Sequence, residues 1–137
     1  MFPAARKDVL PALQQSNVIY EFKCHCDCRY VGRTSKRLQD RIKEHIPPSV
    51  KSYISNSQLN NPLVLEHNQA MGQKSSIGKH LLENHTCAAN YHEDMFSILA
   101  KGRNLFHLSV LESTIITMSK PSLCQQKEFV YHLKIAH

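Results

Sequence analysis

The sequence predicts an α+β domain, in which a small antiparallel three-stranded sheet is flanked by helices, and three observations support this prediction. Short segments rich in β-branched and aromatic residues, typical of strands, occur twice near the beginning of the chain and once in its last third. Other segments repeat apolar residues every three or four positions, as helices packed on a sheet do. The 137 residues fit one domain with its own core, and no internal repeat is visible.

The beginning of the chain predicts a linker followed by a β-hairpin. Residues 1–16 contain two prolines and mixed polar residues, which are typical of a linker, so the domain is expected to span residues 17–137. The segment NVIYEFKC, residues 17–24, predicts the first strand. A tight turn over CHCDC, residues 24–28, then leads into a second strand over residues 29–33.

The first predicted helix covers Ser35–His45, with Ser35 as its capping residue. Pro47 and Pro48 are expected to end it. Apolar residues recur at every fourth position and form a stripe that faces the sheet: Leu38, Ile42 and Ile46. On the adjacent flank a second row has the same spacing and is basic: Arg37, Arg41 and His45. The helix thus places two cations and an imidazole beside the core.

The middle of the chain predicts a long loop and a second helix. Residues 47–74 are rich in Asn, Ser and Gln with scattered prolines, which favours a loop with a short helical turn near residues 63–65. Loops of this length within a domain are often functional. The second helix is predicted from Ser76 to about His85, with Ser75 or Ser76 as its cap.

The last third predicts one strand and two helices, which gives the order ββααβαα. The segment MFSILA, residues 95–100, predicts the third strand, and residues 105–119 predict a third helix. This helix is expected to bury one face, with Glu112 at its border; the residues of the face are Leu108, Leu111, Ile115 and Met118. A last helix is predicted from about Gln125 to Ile135.

Composition narrows the class of protein. The 17 Lys and Arg exceed the 11 Asp and Glu, a net charge of +6 that suits a polyanion such as nucleic acid but is also common in domains that bind none. No apolar run has the length of a membrane span or a secretion signal, so we expect a soluble intracellular protein. Of the five cysteines, three crowd into CHCDC, which favours metal binding over disulfides, with reduced strand thiols as the alternative.

Five residues form a set suited to phosphodiester cleavage: Tyr20, Tyr30, Arg41, His45 and Glu112. Such cleavage needs a group that deprotonates or orients water, a cation for the phosphate, and a carboxylate for a metal ion. Each residue also has an ordinary interpretation, as a packing tyrosine, a solvated arginine, a histidine at a helix C-terminus or a surface carboxylate. The residues taken singly leave both interpretations open.

Taken in order, the stretches VIYEF, YVG, RLQDRIKEH and LEST resemble the GIY-YIG nuclease pattern. The longer stretches CHCDCRYVGRTSKRLQDRIKEHIP and FHLSVLESTIITMSKPSLCQQKEFVY resemble, more narrowly, the endonuclease domain of Penelope-like retroelements. The resemblance extends over residues 17–131. It implies the GIY-YIG fold and an enzyme that nicks one DNA strand by hydrolysis to prime retroelement integration, with Mg²⁺ or Mn²⁺ as its catalytic ion.

The resemblance implies a role for each residue of the set. Tyr20 would assist deprotonation of the attacking water, and Tyr30 would position the water or the substrate. Arg41 would bind the phosphate, and His45 would support phosphate binding or proton transfer. Glu112 would hold the catalytic ion.

Three further positions bear on this resemblance. Gly32 would be needed because the backbone runs close to the active surface. Val18 stands where the family name has a glycine, a position that supplies only strand geometry. Cys124 stands where many relatives carry asparagine, which leaves the role of this position open.

The resemblance also implies a structural zinc site inserted in the domain. Cys24 and Cys26 match by their distance from the second tyrosine, and His80 is the expected third ligand. The fourth ligand is a choice between His85 and Cys87, and the run HLLENHTCA favours Cys87. Zinc at this site would hold the hairpin to the second helix.

The resemblance further implies that the partners are DNA and a reverse transcriptase fused to this domain, in a nuclear protein that acts as a monomer or weak dimer away from membranes. An alternative is a zinc-stabilised DNA-binding module without catalysis, which would position the reverse transcriptase. A third interpretation, a structure-specific repair nuclease of the same superfamily, agrees less well with the cysteine cluster and the SLCQQKEFVY ending.

Overall fold

A computed structural model describes residues 11–59 and 75–124. Within these ranges the chain forms three strands: β1 (Val18–Lys23), β2 (Arg29–Thr34) and β3 (Phe96–Lys101). It also forms five α-helices: α1 (Leu38–His45), α2 (Pro48–Gln58), α3 (Ser76–Glu83), α4 (His85–Ala89) and α5 (Leu105–Ser119). Short 3-10 helices lie at Ala12–Gln14, Glu93–Met95 and Ser122–Cys124. The predicted last helix and most of the predicted linker lie outside the described residues.

The sheet has the order β2-β1-β3, and both strand pairs are antiparallel. Strand β1 is central, and four of its six residues are fully buried: Val18, Ile19, Tyr20 and Phe22. Its partner across the hairpin is set in register so that Tyr20 lies opposite Gly32. The predicted α+β class with a three-stranded antiparallel sheet is confirmed.

Helix α1 begins at Leu38, three residues later than predicted, and Ser35 does not cap it. The Thr34 hydroxyl accepts the Lys36 amide at 3.0 Å, so the chain is still turning where the helix was expected to start. The Leu38 amide donates at 2.9 Å to the carbonyl of Gln15, in the segment before β1. The apolar stripe of this helix is buried as predicted: Leu38, Ile42 and Ile46.

Residues 48–58 form helix α2, where the sequence analysis predicted a loop. Pro48 occupies the first turn, where the missing amide proton costs nothing. The buried residues follow a helical spacing of three and four positions: Val50, Tyr53, Ile54 and Ser57. The predicted loop is therefore wrong for residues 48–58, because this largely polar segment buries one face with helical spacing. Residues 60–74, including the predicted turn at 63–65, lie outside the described part of the chain.

The second predicted helix is interrupted. Helix α3 ends at Glu83, and Asn84 adopts an extended conformation, with φ −131° and ψ 92°, before α4 begins at His85. The predicted cap is confirmed, because the Ser75 hydroxyl accepts the Gly78 amide at 3.3 Å. The break between the helices turns the chain so that α4 packs on α2.

Helix α5 has the predicted bounds but buries a different face. Its buried residues are Leu108, Glu112 and Ile116, while Leu111 and Ile115 are only partly buried. Met118, predicted to face the core, is 80% exposed. Glu112 was expected at the border and instead lies within the buried face. No helix in the described ranges is long and apolar enough to span a membrane.

Candidate active site and metal centre

Tyr20 lies at the centre of the first group of predicted site residues. Its side chain is fully buried, and its hydroxyl lies 2.7 Å from His45 Nε2. The same hydroxyl accepts a hydrogen bond from Arg41 Nε at 3.2 Å. Arg41 and His45 are four residues apart on α1, and both side chains therefore reach the same point on β1.

Tyr30 completes what we call the Tyr20 cluster, defined as Tyr20, Tyr30, Arg41 and His45. The centroid of its ring lies 6.2 Å from that of Tyr20 and 5.2 Å from that of His45, with an edge-on arrangement toward His45. All three rings are buried. The structure thus brings together four of the five predicted catalytic residues.

Gly32 lies beneath this cluster. A Cβ atom at this position would come within 2.6 Å of the Tyr20 hydroxyl oxygen and 2.8 Å of Tyr30 Cε1. Contacts this short are not tolerated, so the two rings can occupy these positions only over a glycine. Gly32 therefore leaves the space that the two tyrosine rings occupy.

The protonation of the cluster follows from its surroundings. Burial raises the pKa of Tyr20 well above its ordinary value; Tyr30 and Glu112 add to the rise, and Arg41 partly opposes it. Burial alone would lower the pKa of Arg41, but Tyr20 and Glu44 more than compensate and raise it. At neutral pH, therefore, Tyr20 is a neutral phenol and Arg41 a cation.

The hydrogen bonds of the cluster extend on both sides. Arg41 Nη1 donates to Glu44 Oε1 at 2.5 Å, and Glu44 also pairs with Lys36. On the other side, His45 Nδ1 lies 2.5 Å from the Ser75 hydroxyl. The sequence around Ser75 predicts only a helix cap, because nothing in its neighbours along the chain relates it to His45, 30 residues away.

Glu112, the fifth predicted residue, lies on α5 and is 1% exposed. Its Oε1 lies 3.6 Å from Nε of Arg33, on β2. Arg33 directly follows the YVG stretch, and this position is the one signal in the sequence that could have identified it as a site residue. A buried carboxylate requires a charged or hydrogen-bonding partner, and Arg33 is one such partner here.

An open groove is lined both by Arg41 of the Tyr20 cluster and by Arg33, which pairs with Glu112. Its walls include three basic residues: Arg33, Lys36 and Arg41. The beginning of α5 forms another wall through Leu105 and Leu108. The arginine of the Tyr20 cluster and the arginine beside Glu112 therefore face one cationic depression of the surface.

Cys124 contacts the backbone of β2 beside the Tyr20 cluster. Its buried thiol lies 3.2 Å from the Val31 amide nitrogen, which donates to it, and donates in turn to the Val31 carbonyl at 3.3 Å. Val31 lies between Tyr30 and Gly32 on β2. Cys124, whose role the sequence alone leaves open, is thus hydrogen-bonded to the strand that carries the second tyrosine motif.

The second group of predicted residues is what we call the Cys/His group, and its members are Cys24, Cys26, His80 and Cys87. Their ligand atoms all lie within 4.8 Å of one another, and Cys26 Sγ is 3.3 Å from His80 Nε2. The hairpin turn supplies two of them, α3 one and α4 one. Asp27, with φ 71°, and the bond from the Cys24 amide to the Cys28 carbonyl close this turn.

The thiols of this group have unequal pKa values. Burial raises the pKa of Cys24 and, together with the neighbouring thiols, raises that of Cys87 to about 12. Its slight burial would raise the pKa of Cys26, but hydrogen bonds from Cys28, Cys87 and Cys24 lower it to about 6. One thiolate is thus favoured at neutral pH, and a bound cation would favour the others.

The donor set and spacing fit a metal such as zinc. Zinc takes four nitrogen or sulfur ligands in a tetrahedron, in which sulfur atoms lie roughly 3.8 Å apart. The structure brings Cys87 rather than His85 into the group, because His85 Nδ1 lies 3.1 Å from the Ser57 hydroxyl on α2. Cys28 is half-buried and lies outside the group.

Comparison with models of protein families, with curated proteins and with solved structures finds no match for this chain. Among the predicted residues, the structure groups Tyr20 with Arg41 and His45, and it groups Cys24, Cys26, His80 and Cys87, with His85 outside that group.

Proposed function

We propose that this chain is a divalent-metal-dependent DNA endonuclease of the GIY-YIG type, which nicks one strand by phosphodiester hydrolysis. The observation that carries the proposal is the hydrogen-bonded arrangement of the buried Tyr20 hydroxyl between Arg41 and His45. A tyrosine that serves only in packing has no need of two polar partners drawn from one helix. The cationic groove beside it suits a phosphate backbone.

The residues of the Tyr20 cluster can deprotonate water without a standing phenolate. Because its raised pKa keeps Tyr20 a neutral phenol, Tyr20 would act as a proton relay: its oxygen takes a proton from the attacking water as its own proton passes to His45 Nε2. The water becomes the hydroxide nucleophile, and His45 becomes the imidazolium. Arg41 remains charged throughout and binds the scissile phosphate. Tyr30, at the edge of His45, orients the water.

Glu112 is the residue that would hold the catalytic Mg²⁺ or Mn²⁺. A single carboxylate with waters and substrate phosphate is a common set of ligands for Mg²⁺. When bound, the ion would neutralise charge that develops on the phosphate and the leaving oxygen. The Arg33 guanidinium is 42% exposed in the wall of the groove and can turn from Glu112 toward a phosphate.

We further propose that zinc at the Cys/His group is structural. The group joins the hairpin turn to α3 and α4, and this fixes the end of β1 three residues beyond Tyr20. From the resemblance, the nick would prime integration of a retroelement in the nucleus, with a reverse transcriptase fused to this domain.

One observation favours a second candidate, a zinc-stabilised DNA-binding module without catalysis. The ion pair between Arg33 and Glu112 compensates the charge of the carboxylate without any metal ion. In this case Arg33, Lys36 and Arg41 would bind phosphates, and Glu112 would only order the groove. Against this candidate, a pure binder gains nothing from a buried carboxylate that must be desolvated.

Relaxation of supercoiled plasmid in the presence of Mg²⁺ tests the proposal. We expect the wild-type chain to produce the nicked circle, EDTA to abolish this activity, and Glu112→Gln to lower its rate by about 100-fold or more. The exposed Glu83→Gln on α3 is the matched control and should nick at the wild-type rate. Binding to a fluorescent duplex in Ca²⁺ is measured in parallel.

The same experiment separates the two candidates. If the wild type binds the duplex but never nicks it with Mg²⁺ or Mn²⁺, the DNA-binding module is correct. If Glu112→Gln nicks as fast as Glu83→Gln, the assignment of the catalytic carboxylate is wrong.

A further inference from the structure

Ser75 connects the Tyr20 cluster to the helix that carries part of the Cys/His group. Its hydroxyl oxygen accepts the Gly78 amide at 3.3 Å and so caps α3, on which His80 lies one turn further on. The same oxygen lies 2.5 Å from His45 Nδ1. A helix cap needs only the first of these contacts, so the second calls for a separate explanation.

The hydrogen bonds around Tyr20 indicate which nitrogen of His45 carries the proton. Arginine can only donate, so the Tyr20 oxygen is the acceptor in its bond with Arg41. Within the described residues, the only other polar atom bonded to this hydroxyl is His45 Nε2. The Tyr20 proton must therefore point to Nε2, and Nε2 must be the acceptor.

The position of the His45 proton then follows. A neutral imidazole whose Nε2 accepts carries its proton on Nδ1, and this N–H donates to the Ser75 oxygen. The Ser75 oxygen thus accepts two bonds, one from Gly78 and one from His45. Both lone pairs of the hydroxyl are used, which defines its orientation.

We propose that Ser75 is a positioning residue, which selects the Nδ1–H form of His45 and thereby keeps the Nε2 lone pair directed at Tyr20. Without this selection, an Nε2–H form would present a donor to the hydroxyl, and the Tyr20 proton would have no route to His45. The effect of Ser75 on nicking rests on the proposed function, whereas its effect on the His45 proton does not.

Two pairs of substitutions separate this role from helix capping. Ser75→Thr keeps both accepting bonds, and Ser75→Ala removes both. Ser75→Asp and Ser75→Asn cap helices equally well, yet they differ toward His45. A carboxylate can only accept from Nδ1, whereas an amide that accepts the Gly78 amide through its oxygen can donate to Nδ1 through its nitrogen.

The first measurement is the ¹⁵N NMR shift of the two His45 nitrogens at a pH where the ring is neutral. We expect the wild type, Ser75→Thr and Ser75→Asp to show a protonated Nδ1 and an unprotonated Nε2. We expect Ser75→Ala and Ser75→Asn to shift the population toward protonated Nε2. A wild type with protonated Nε2, or a Ser75→Ala variant with an unchanged His45 spectrum, overturns the proposal.

The second measurement is the single-turnover rate of nicking with Mg²⁺, together with the melting temperature. We expect Ser75→Ala and Ser75→Asn to lower the nicking rate by about tenfold or more while duplex affinity stays unchanged. We expect Ser75→Thr to retain the wild-type rate. If nicking follows melting temperature rather than the His45 proton across the four variants, Ser75 is only a cap and the proposal is overturned. If the wild type does not nick at all, the proposed function fails, but the spectra still decide the role of Ser75.

Discussion

The Cys124 thiol bonds both the amide and the carbonyl of Val31, so that a single side chain holds the strand between Tyr30 and Gly32. We expect Cys124→Ala to lower the free energy of unfolding by about 1–3 kcal/mol, because two buried bonds and a well-packed sulfur are lost. We also expect nicking to slow, since Tyr30 moves with Val31. Urea unfolding of the metal-loaded protein and the plasmid assay measure the two effects.

Cys28→Ala is the control for this substitution. Cys28 is half-buried and lies outside the Cys/His group. It precedes Tyr30 by two residues, so it is close to the second tyrosine motif in the chain, as Cys124 is in space. We expect Cys28→Ala to lower the free energy of unfolding by less than Cys124→Ala does. Equal effects from the two cysteines would contradict a specific role for the bond to Val31.

Gly32 and Gly102 offer a matched pair for the close approach beneath the cluster. A Cβ at Gly32 would come within 2.6 Å of the Tyr20 hydroxyl, and one at Gly102 within 2.5 Å of Leu108 Cδ2. We expect both alanine variants to lose about 1–3 kcal/mol of stability through overpacking. Only Gly32→Ala should also abolish nicking in the folded fraction, because it displaces the Tyr20 hydroxyl.

The comparison is made at a temperature where circular dichroism shows both variants to be folded. Nicking is then normalised to folded protein. The close approach would be without functional consequence if Gly32→Ala and Gly102→Ala nick equally well under these conditions.

Sequence patterns predicted most of the elements that carry the site, and the reason is physical. The β-branched residues of β1 and the four-residue repeat of α1 are local signals, and they place Tyr20, Arg41 and His45 on neighbouring elements. The helix over residues 48–58 was missed because its buried face includes Ser57 and its polar composition is typical of loops. Periodicity was the better signal there.

Other features depend on contacts between distant parts of the chain, which local patterns do not contain. On α5 the charged Glu112, which pairs with Arg33, occupies a buried position that an apolar stripe would not predict. The contact of Ser75 with His45 spans 30 residues. The choice of Cys87 over His85 accompanies the contact of His85 with Ser57, which lies 28 residues earlier in the chain.

The Cys/His group predicts a specific result for metal content. We expect protein purified without chelator to contain about one zinc ion per chain, and Cys87→Ala to contain much less and to melt at a lower temperature. His85→Ala should keep its zinc, because its Nδ1 bonds Ser57 and it lies outside the group. Elemental analysis and thermal melting measure both. Loss of zinc from His85→Ala with retention in Cys87→Ala would reverse the assignment of the fourth ligand.

The raised pKa of Tyr91 should make the stability of the fold depend on pH in alkaline solution. Burial, with a smaller contribution from Glu93, raises the pKa of Tyr91 to about 12. A tyrosine in the unfolded chain has a pKa of about 10. Between these two values the folded state keeps a proton that the unfolded state has lost, so stability is fully present below about pH 10 and falls as the pH rises. Tyr91→Phe removes this loss, and its urea midpoint should fall less than that of the wild type between about pH 8 and about pH 11. Tyr20, whose pKa is also raised by burial, should leave a slope in the same direction in this variant. Parallel curves for the two proteins would show that the Tyr91 hydroxyl is as free to ionise in the folded state as in the unfolded chain.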